Sequence, residues 1–166
     1  MTTWATVTLV LATLTVGMMA GIFAAYALSV MPGLKRTSDA TFVDVMRRIN
    51  VEIVNPWFIF CFLGGAVFSL LALFFAVRGY EAHAPQRASI GWIIAGLVLY
   101  GLSLAVTIVV NAPLNGALAA ADKNDPSAAR KPFEARWVLF NIVRTLTGVA
   151  AFACLAWALR LSGATA

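Results

Sequence analysis

The sequence predicts an all-α integral membrane protein: a four-helix bundle with an additional amphipathic helix between its first and second spans. Composition is the first reason. Hydrophobic residues make up 61% of the 166 and charged residues only 11%, and the mean hydropathy is +0.88. A soluble domain is about a quarter charged, so a water-soluble globule of this size would lack the polar groups to cover its surface. Disordered chains are charge-rich and poor in aliphatics, so that class is excluded too. The second reason is the spacing of the charges. None occurs from Met1 to Leu34, from Ile53 to Val77 or from Ala88 to Ala121, and only Arg144 interrupts Trp137 to Leu159. A membrane span takes about 20 mostly apolar residues, and in lipid each backbone polar group must be satisfied within its own helix. The third reason is the absence of alternating ten-residue strands, which a β-barrel requires.

The chain reads as a single transmembrane domain, residues 1–166, with spans at about 4–30, 55–77, 90–111 and 135–159. In the first span, Ala25-Tyr26-Ala27 resembles a small-residue cleavage site. The segment lacks a basic leader region and is too long for a signal sequence, so it is expected to be retained. Gly17, Gly21 and Ala25 form a small face that admits another helix closely. That face serves either packing within the bundle or a homo-oligomer.

The 37–54 connection carries its own helix. Thr37, Ser38 and Asp39 are N-cap residues. Phe42, Val45, Met46, Ile49 and Ile53 follow at helical spacing, while Asp44 with Arg48 and Arg48 with Glu52 are spaced for i,i+4 pairing. Such a helix lies in the interface or lids the bundle. Asn55-Pro56 reads as an N-cap followed by proline at the first helical position, which starts the second span.

In the third span Tyr100, Ser103, Thr107, Asn111 and Asn115 form one polar stripe, and Pro113 within it predicts a kink or a helix end. The fourth span repeats the pattern with Trp137, Asn141, Arg144, Thr145 and Gly148. Arg144 lies about 10 Å inward from Trp137 at about 1.5 Å per residue. A cation at that depth facing lipid costs at least ~2–3 kcal/mol, so it faces the bundle interior or snorkels to the headgroups.

Four spans place the 31–54 and 112–134 connections on one side of the membrane. That side carries Lys35, Arg36, Arg47, Arg48, Lys123, Arg130, Lys131 and Arg136, against Arg78, Arg87 and Arg160 on the other. The positive-inside rule puts the basic side in the cytoplasm and both termini outside, in a multi-pass protein of the cell membrane. The net charge of +5 points to lipid headgroups as partners and not to nucleic acid.

Asn55 and Trp57, Asn111 and Asn115, and Asn141 and Arg144 all fall near the basic-side ends of their helices. They are placed to converge on one polar pocket for a hydrophobic small molecule. Each also has a plainer role. Asn55 is a cap, Asn111 and Asn115 bond backbone opened by Pro113, Trp57 and Trp137 belong to an interfacial aromatic belt, and Arg144 pairs with Glu52 or with carbonyl groups. Tyr26 is a core residue, and His83 lies in a turn on the far side with no role. One histidine and two cysteines give no metal-ligand spacing, and Cys61 and Cys154 lie at different depths, so no disulfide is expected. No cofactor motif is present.

The segments GIFAAYALSVMPGL (21–34), MRRINVEIVNPW (46–57), NAPLNGALAAAD (111–122) and RWVLFNIVRT (136–145) resemble the anthrone oxygenase-like family of small four-helix membrane proteins. The likeness covers nearly the whole chain. Its specific patterns are Asn-Pro-Trp, Asn-x-Pro-x-Asn and Trp-x-x-x-Asn-x-x-Arg-Thr, filled here by Asn55, Pro56, Trp57, Asn111, Pro113, Asn115, Trp137, Asn141, Arg144 and Thr145. The resemblance implies oxidation of an anthrone to an anthraquinone without a metal or flavin. On that reading Arg144, with Asn111 or Asn141, stabilises the substrate oxyanion, and Asn55, Trp57, Asn115, Trp137 and Thr145 bind the substrate, with Trp57 and Trp137 holding its aromatic rings. Glu52 is the candidate base from the residues alone, on condition that it is shielded; its plainer role is a solvated residue of the lid helix. Two other functions use the same features. One is a membrane protein that binds or carries a lipid or quinone without turnover. The other is a small membrane subunit packed on a partner.

Overall fold

The computed structural model describes residues 3–78 and 84–163, and helices joined by short turns account for all of them, with no strand among the described residues. His83 lies outside the described residues. The first span runs through α1 (Thr3–Ala25), a π-helical turn (Tyr26–Val30) and α2 (Met31–Lys35). The amphipathic helix is α3 (Asp39–Glu52), and the second span is α4 (Pro56–Arg78). The third span comprises α5 (Ala84–Val106), a second π-helical turn (Thr107–Asn111) and α6 (Ala112–Ala120). The fourth is α7 (Pro126–Gly163).

Four helices are long and apolar enough to cross a membrane. Three exceed the spans expected from the sequence. Thr3–Lys35 and Ala88–Ala120 are 33 residues each and Pro126–Gly163 is 38, or about 50 Å and more at ~1.5 Å per residue. The hydrocarbon layer takes about 30 Å. The surplus lies at the basic-side end in all three, so the 112–134 connection is mostly helix and not a loop.

Proline explains how two of them continue. Pro32 and Pro113 each lack an N–H, and each ring would collide with the carbonyl four residues back in an unbroken α-helix. The residue before each proline bonds five residues back instead: Met31 N–H to the Tyr26 carbonyl, and Ala112 N–H to the Thr107 carbonyl. These wider π turns make room for the rings. The interruption expected at Pro113 is therefore a local widening, and the helix runs on to Ala120.

The spans pack as a ring in chain order, α1 against α4 and α7, and α5 against α4 and α7. Leu9, Val16 and Met19 of α1 meet Cys61 and Ala72 of α4, Ile93 and Tyr100 of α5, and Leu155 of α7 in the core. Small residues let the helices approach, as expected where lipid supplies no hydrophobic drive between them. A Cβ on Gly65 would lie 2.5 Å from the Tyr100 ring, and one on Gly96 would lie 2.8 Å from Leu155. The Tyr100 hydroxyl donates to the Phe62 carbonyl at 2.8 Å. Gly17 is used inside the bundle, where a Cβ would meet Phe152 at 2.9 Å, whereas Gly21 is open. Cys61 and Cys154 are both free thiols.

The protruding helix ends hold α3. Ser38 caps it by accepting from Thr41 N–H at 3.2 Å. Its buried residues are Phe42, Val43 and Met46, a face rotated toward Val43 and away from the expected Val45–Ile49 stripe. They join Met31, Leu118, Phe133 and Trp137 in a second apolar cluster. Two arginines secure the helix. Arg47 donates to the Leu118 and Ala121 carbonyls at 2.9 and 2.7 Å, closing the open C-terminal end of α6. Arg130 of α7 donates to Asp39 and to the Thr37 and Lys35 carbonyls at 2.9, 3.0 and 3.1 Å, and to Glu134 at 2.6 Å. Its guanidinium also lies 4.3 Å from the Phe42 ring centre. Arg48 turns to Asp44 at 3.0 Å and not to Glu52. Asn55 and Asp125 cap the helices that start at Pro56 and Pro126, accepting from Phe58 and Ala128 N–H at 3.0 Å each.

Gly65→Ala will lower stability by about 1–3 kcal/mol through overpacking, while Gly21→Ala will change it by less than ~0.5 kcal/mol. Thermal unfolding in detergent checks both. Arg130→Met will loosen α3 from α7 by about 1–3 kcal/mol, the worth of charge-assisted bonds lost from a largely covered guanidinium. Faster amide hydrogen exchange over 38–52, with the spans unaffected, is the expected reading.

Candidate functional site

The two π turns and the polar stripe of α7 meet at one level of the bundle, just inside the α3–α4 junction. There the structure encloses a cavity of about 130 Å³, close to the ~150 Å³ void that takes a benzene ring. Its walls come from five directions. The first span gives Ile22, Phe23 and Tyr26; the third gives Thr107, Asn111 and Asn115; α7 gives Trp137 and Arg144; α3 and its exit give Asn50, Ile53 and Val54; and α4 gives Phe58. Val54 is exposed and Ile22, Ile53 and Phe58 are half-buried, as are Tyr26, Asn50, Thr107 and Asn115, so the cavity is open near the α3–α4 junction, with Ile53, Val54 and Phe58 as the apolar side of its mouth.

Arg144 points inward and is only 6% exposed. It donates to Asn141 Oδ1 at 2.8 Å and to Thr107 Oγ1 at 3.4 Å. Its guanidinium carbon lies 4.3 Å from the Phe23 ring centre and 5.3 Å from that of Trp137, within cation–π range. Its Nε has no partner. Among the described residues no carboxylate lines the cavity, so the charge is held by an amide, a hydroxyl and two aromatic faces.

The amides around it are locked by their backbone contacts. Asn141 donates to the Phe23 carbonyl at 3.1 Å, which turns its oxygen to Arg144. Asn111 donates to the Trp137 carbonyl at 3.2 Å, which leaves its own oxygen buried and unpartnered. Trp137 donates through Nε1 to Asn115 Oδ1 at 2.8 Å and packs on Tyr26 with ring centres 5.7 Å apart. Asn111 and Asn115 therefore tie the third span to α7 and do not bond the backbone beside Pro113.

Of the residues expected from the sequence, Arg144, Asn111, Asn115 and Trp137 line the cavity, and Asn141 stands directly behind Arg144. Thr145 lies outside it, with its hydroxyl donating to the Asn141 carbonyl at 2.9 Å. Asn55 is exposed and serves as a cap. Trp57 is 75% exposed on the outer face at the start of α4, as a belt residue is. Glu52 is exposed and absent from the cavity wall. Its assignment as a shielded base, and its pairing with Arg144, are corrected on that ground: it sits on the solvent side of the last turn of α3.

Two wall residues were missed. Tyr26 passes for core in an apolar span, and only Pro32 six residues later signals the π turn that sets it beside the cavity. Asn50 follows Val43 and Met46 at i+7 and i+4, so it shares their buried face. The expected stripe, centred nearer Ile49, hid it. Its amide nitrogen is buried without a partner.

A family model described as Anthrone oxygenase matches residues 57–154. The matched region holds Asn111, Asn115, Trp137, Asn141 and Arg144, while Tyr26 and Asn50 come from the segment before it. No curated protein and no solved structure matches the chain. With more than half of its length matched by that model, the chain belongs to the anthrone oxygenase family.

Proposed function

We propose that the protein is an oxygenase of a planar, hydrophobic aromatic ketone of the anthrone type, acting in the cell membrane with its basic side toward the cytoplasm. The observation that carries this reading is the buried Arg144 guanidinium with an open Nε and no carboxylate about it. Such a group is underused until an electron-rich oxygen sits against it. The ketone enters from the lipid through the apolar mouth, and its carbonyl oxygen faces Arg144. The methylene opposite a diaryl ketone is acidic because its anion is an extended enolate with the charge on that oxygen. A fixed cation in a secluded cavity lowers the substrate's own pKa, and the proton leaves to water at the mouth. Arg144 then does the work that the sequence assigned jointly to a base.

The enolate reduces dioxygen by one electron, and the resulting carbon radical and superoxide combine at the former methylene carbon. The peroxide takes a proton, then loses the remaining C–H proton and hydroxide as the O–O bond breaks. The sum is anthrone plus dioxygen to anthraquinone plus water. Trp137, Tyr26 and Phe23 form the aromatic wall against which the rings lie. Closed, the cavity takes about one ring, so a three-ring ligand also occupies the mouth at Val54 and Phe58.

A second reading has one observation in its favour. With no carboxylate or imidazole on the wall among the described residues, the same donors hold a quinone or lipid carbonyl without turnover.

The purified protein in detergent, given anthrone in air, will form anthraquinone with matching oxygen consumption. Arg144→Leu will lower the rate about a hundredfold or more, with helicity and melting retained. Equal rates for the two remove Arg144 from the chemistry. Binding of anthraquinone without turnover of anthrone favours the carrier. Glu52→Gln will keep the rate within about twofold, since an exposed carboxylate outside the cavity contributes little; a loss of tenfold or more would restore it as the base.

A further inference from the structure

Asn50 has no task in the chemistry just described. It sits on α3, outside the bundle proper, and is fixed there by a helix that Arg47 and Arg130 hold in place. The residue lines the cavity, and its amide nitrogen is buried with no hydrogen-bond partner. Leaving an amide unpaired in a buried site destabilises a protein, and an apolar side chain there would avoid that penalty. The other two unpartnered polar atoms in this wall, Arg144 Nε and Asn111 Oδ1, belong to the spans. Asn50 therefore brings a hydrogen-bond donor from a different wall, the one that also carries Ile53 and Val54.

We propose that Asn50 is a specificity-determining residue, its amide donating to a second acceptor oxygen on a planar aromatic ligand whose first oxygen rests on Arg144. The ligand class it selects has two oxygens on separate edges of a flat ring system. In the proposed oxidation the second edge is the carbon that dioxygen attacks, so Asn50 would hold the newly installed oxygen. The inference takes the planar aromatic ligand from the reading above, but it concerns recognition and is tested without turnover.

The test is equilibrium binding to the full-length protein in detergent, with two probes that carry no acidic methylene. Anthraquinone offers two carbonyl oxygens, and 9-fluorenone offers one. Crossing two ligands with two residues isolates the contact. In Asn50→Leu the anthraquinone-to-fluorenone affinity ratio will fall about five- to tenfold, the worth of one net hydrogen bond, with fluorenone affinity nearly unchanged. Asn50→Ser, too short to reach, will show the same fall and reads the ratio if the leucine variant does not melt cooperatively. An unchanged ratio in either folded variant overturns the proposal. So does a wild-type protein that binds neither probe. Loss of the ratio in a protein that never oxidises anthrone sinks the oxygenase and keeps Asn50 as a reader of the ligand; turnover with an unchanged ratio does the reverse.

Discussion

One buried cation organises this molecule. A guanidinium at the level of Arg144 meets lipid, water or protein, and the first of these is costly. The bundle answers with Asn141, Thr107 and the faces of Phe23 and Trp137. Two of those groups are in turn pinned. Asn141 is held by the Phe23 carbonyl, and the Trp137 indole is held by Asn115. The result is a chain of contacts from the first span through α7 to the third span that would have little reason to exist without the charge at its centre. Among the described residues no counter-anion stands in the wall, so the charge is held by dipoles and ring faces alone.

The two π turns show how the backbone was fitted to this centre. Both precede an X-Pro step by the same offset, and both border the cavity, at Tyr26 and at Thr107 with Asn111. Proline forces the helix to widen, and the widening also shifts the register of the side chains beyond it. The same event that lets the helices run on past the hydrocarbon layer therefore sets the site residues against one another. Fold and site are linked through two imino acids that touch no ligand.

Much of this was legible in the sequence. Charge-free stretches fixed the spans, because lipid tolerates few charges. The Asn55-Pro56 dipeptide marked the start of α4, because cap and proline act locally, whereas the similar Asp125-Pro126 step that starts α7 fell in what read as a connection. Arg144 could be turned inward on energetic grounds, and the amides at helical spacing could be assigned to its side. What was not legible depended on long-range packing. The helical extensions on the basic side are stabilised by α3, Arg47 and Arg130, contacts between residues more than 70 apart in the chain. The face of α3 was misjudged by a fraction of a turn, since Val43 and Ile49 are equally apolar and only the neighbouring helices decide which is covered. That small rotation hid Asn50. The expected shielding of Glu52 is absent for the same reason: its side of the helix is the side left exposed.

The way α3 is fastened has a mechanical consequence. Its first turn is bolted to α7 by Arg130 and its middle to α6 by Arg47, whereas its last turn, with Val51 and Glu52 exposed, leads straight into the cavity mouth at Ile53 and Val54. That turn is pinned from the far side instead: the Asn55 amide that caps α4 also donates to the Glu52 carbonyl at 3.1 Å. One asparagine thus hinges the lid helix to the second span, so the rim of the chamber is set jointly by both helices.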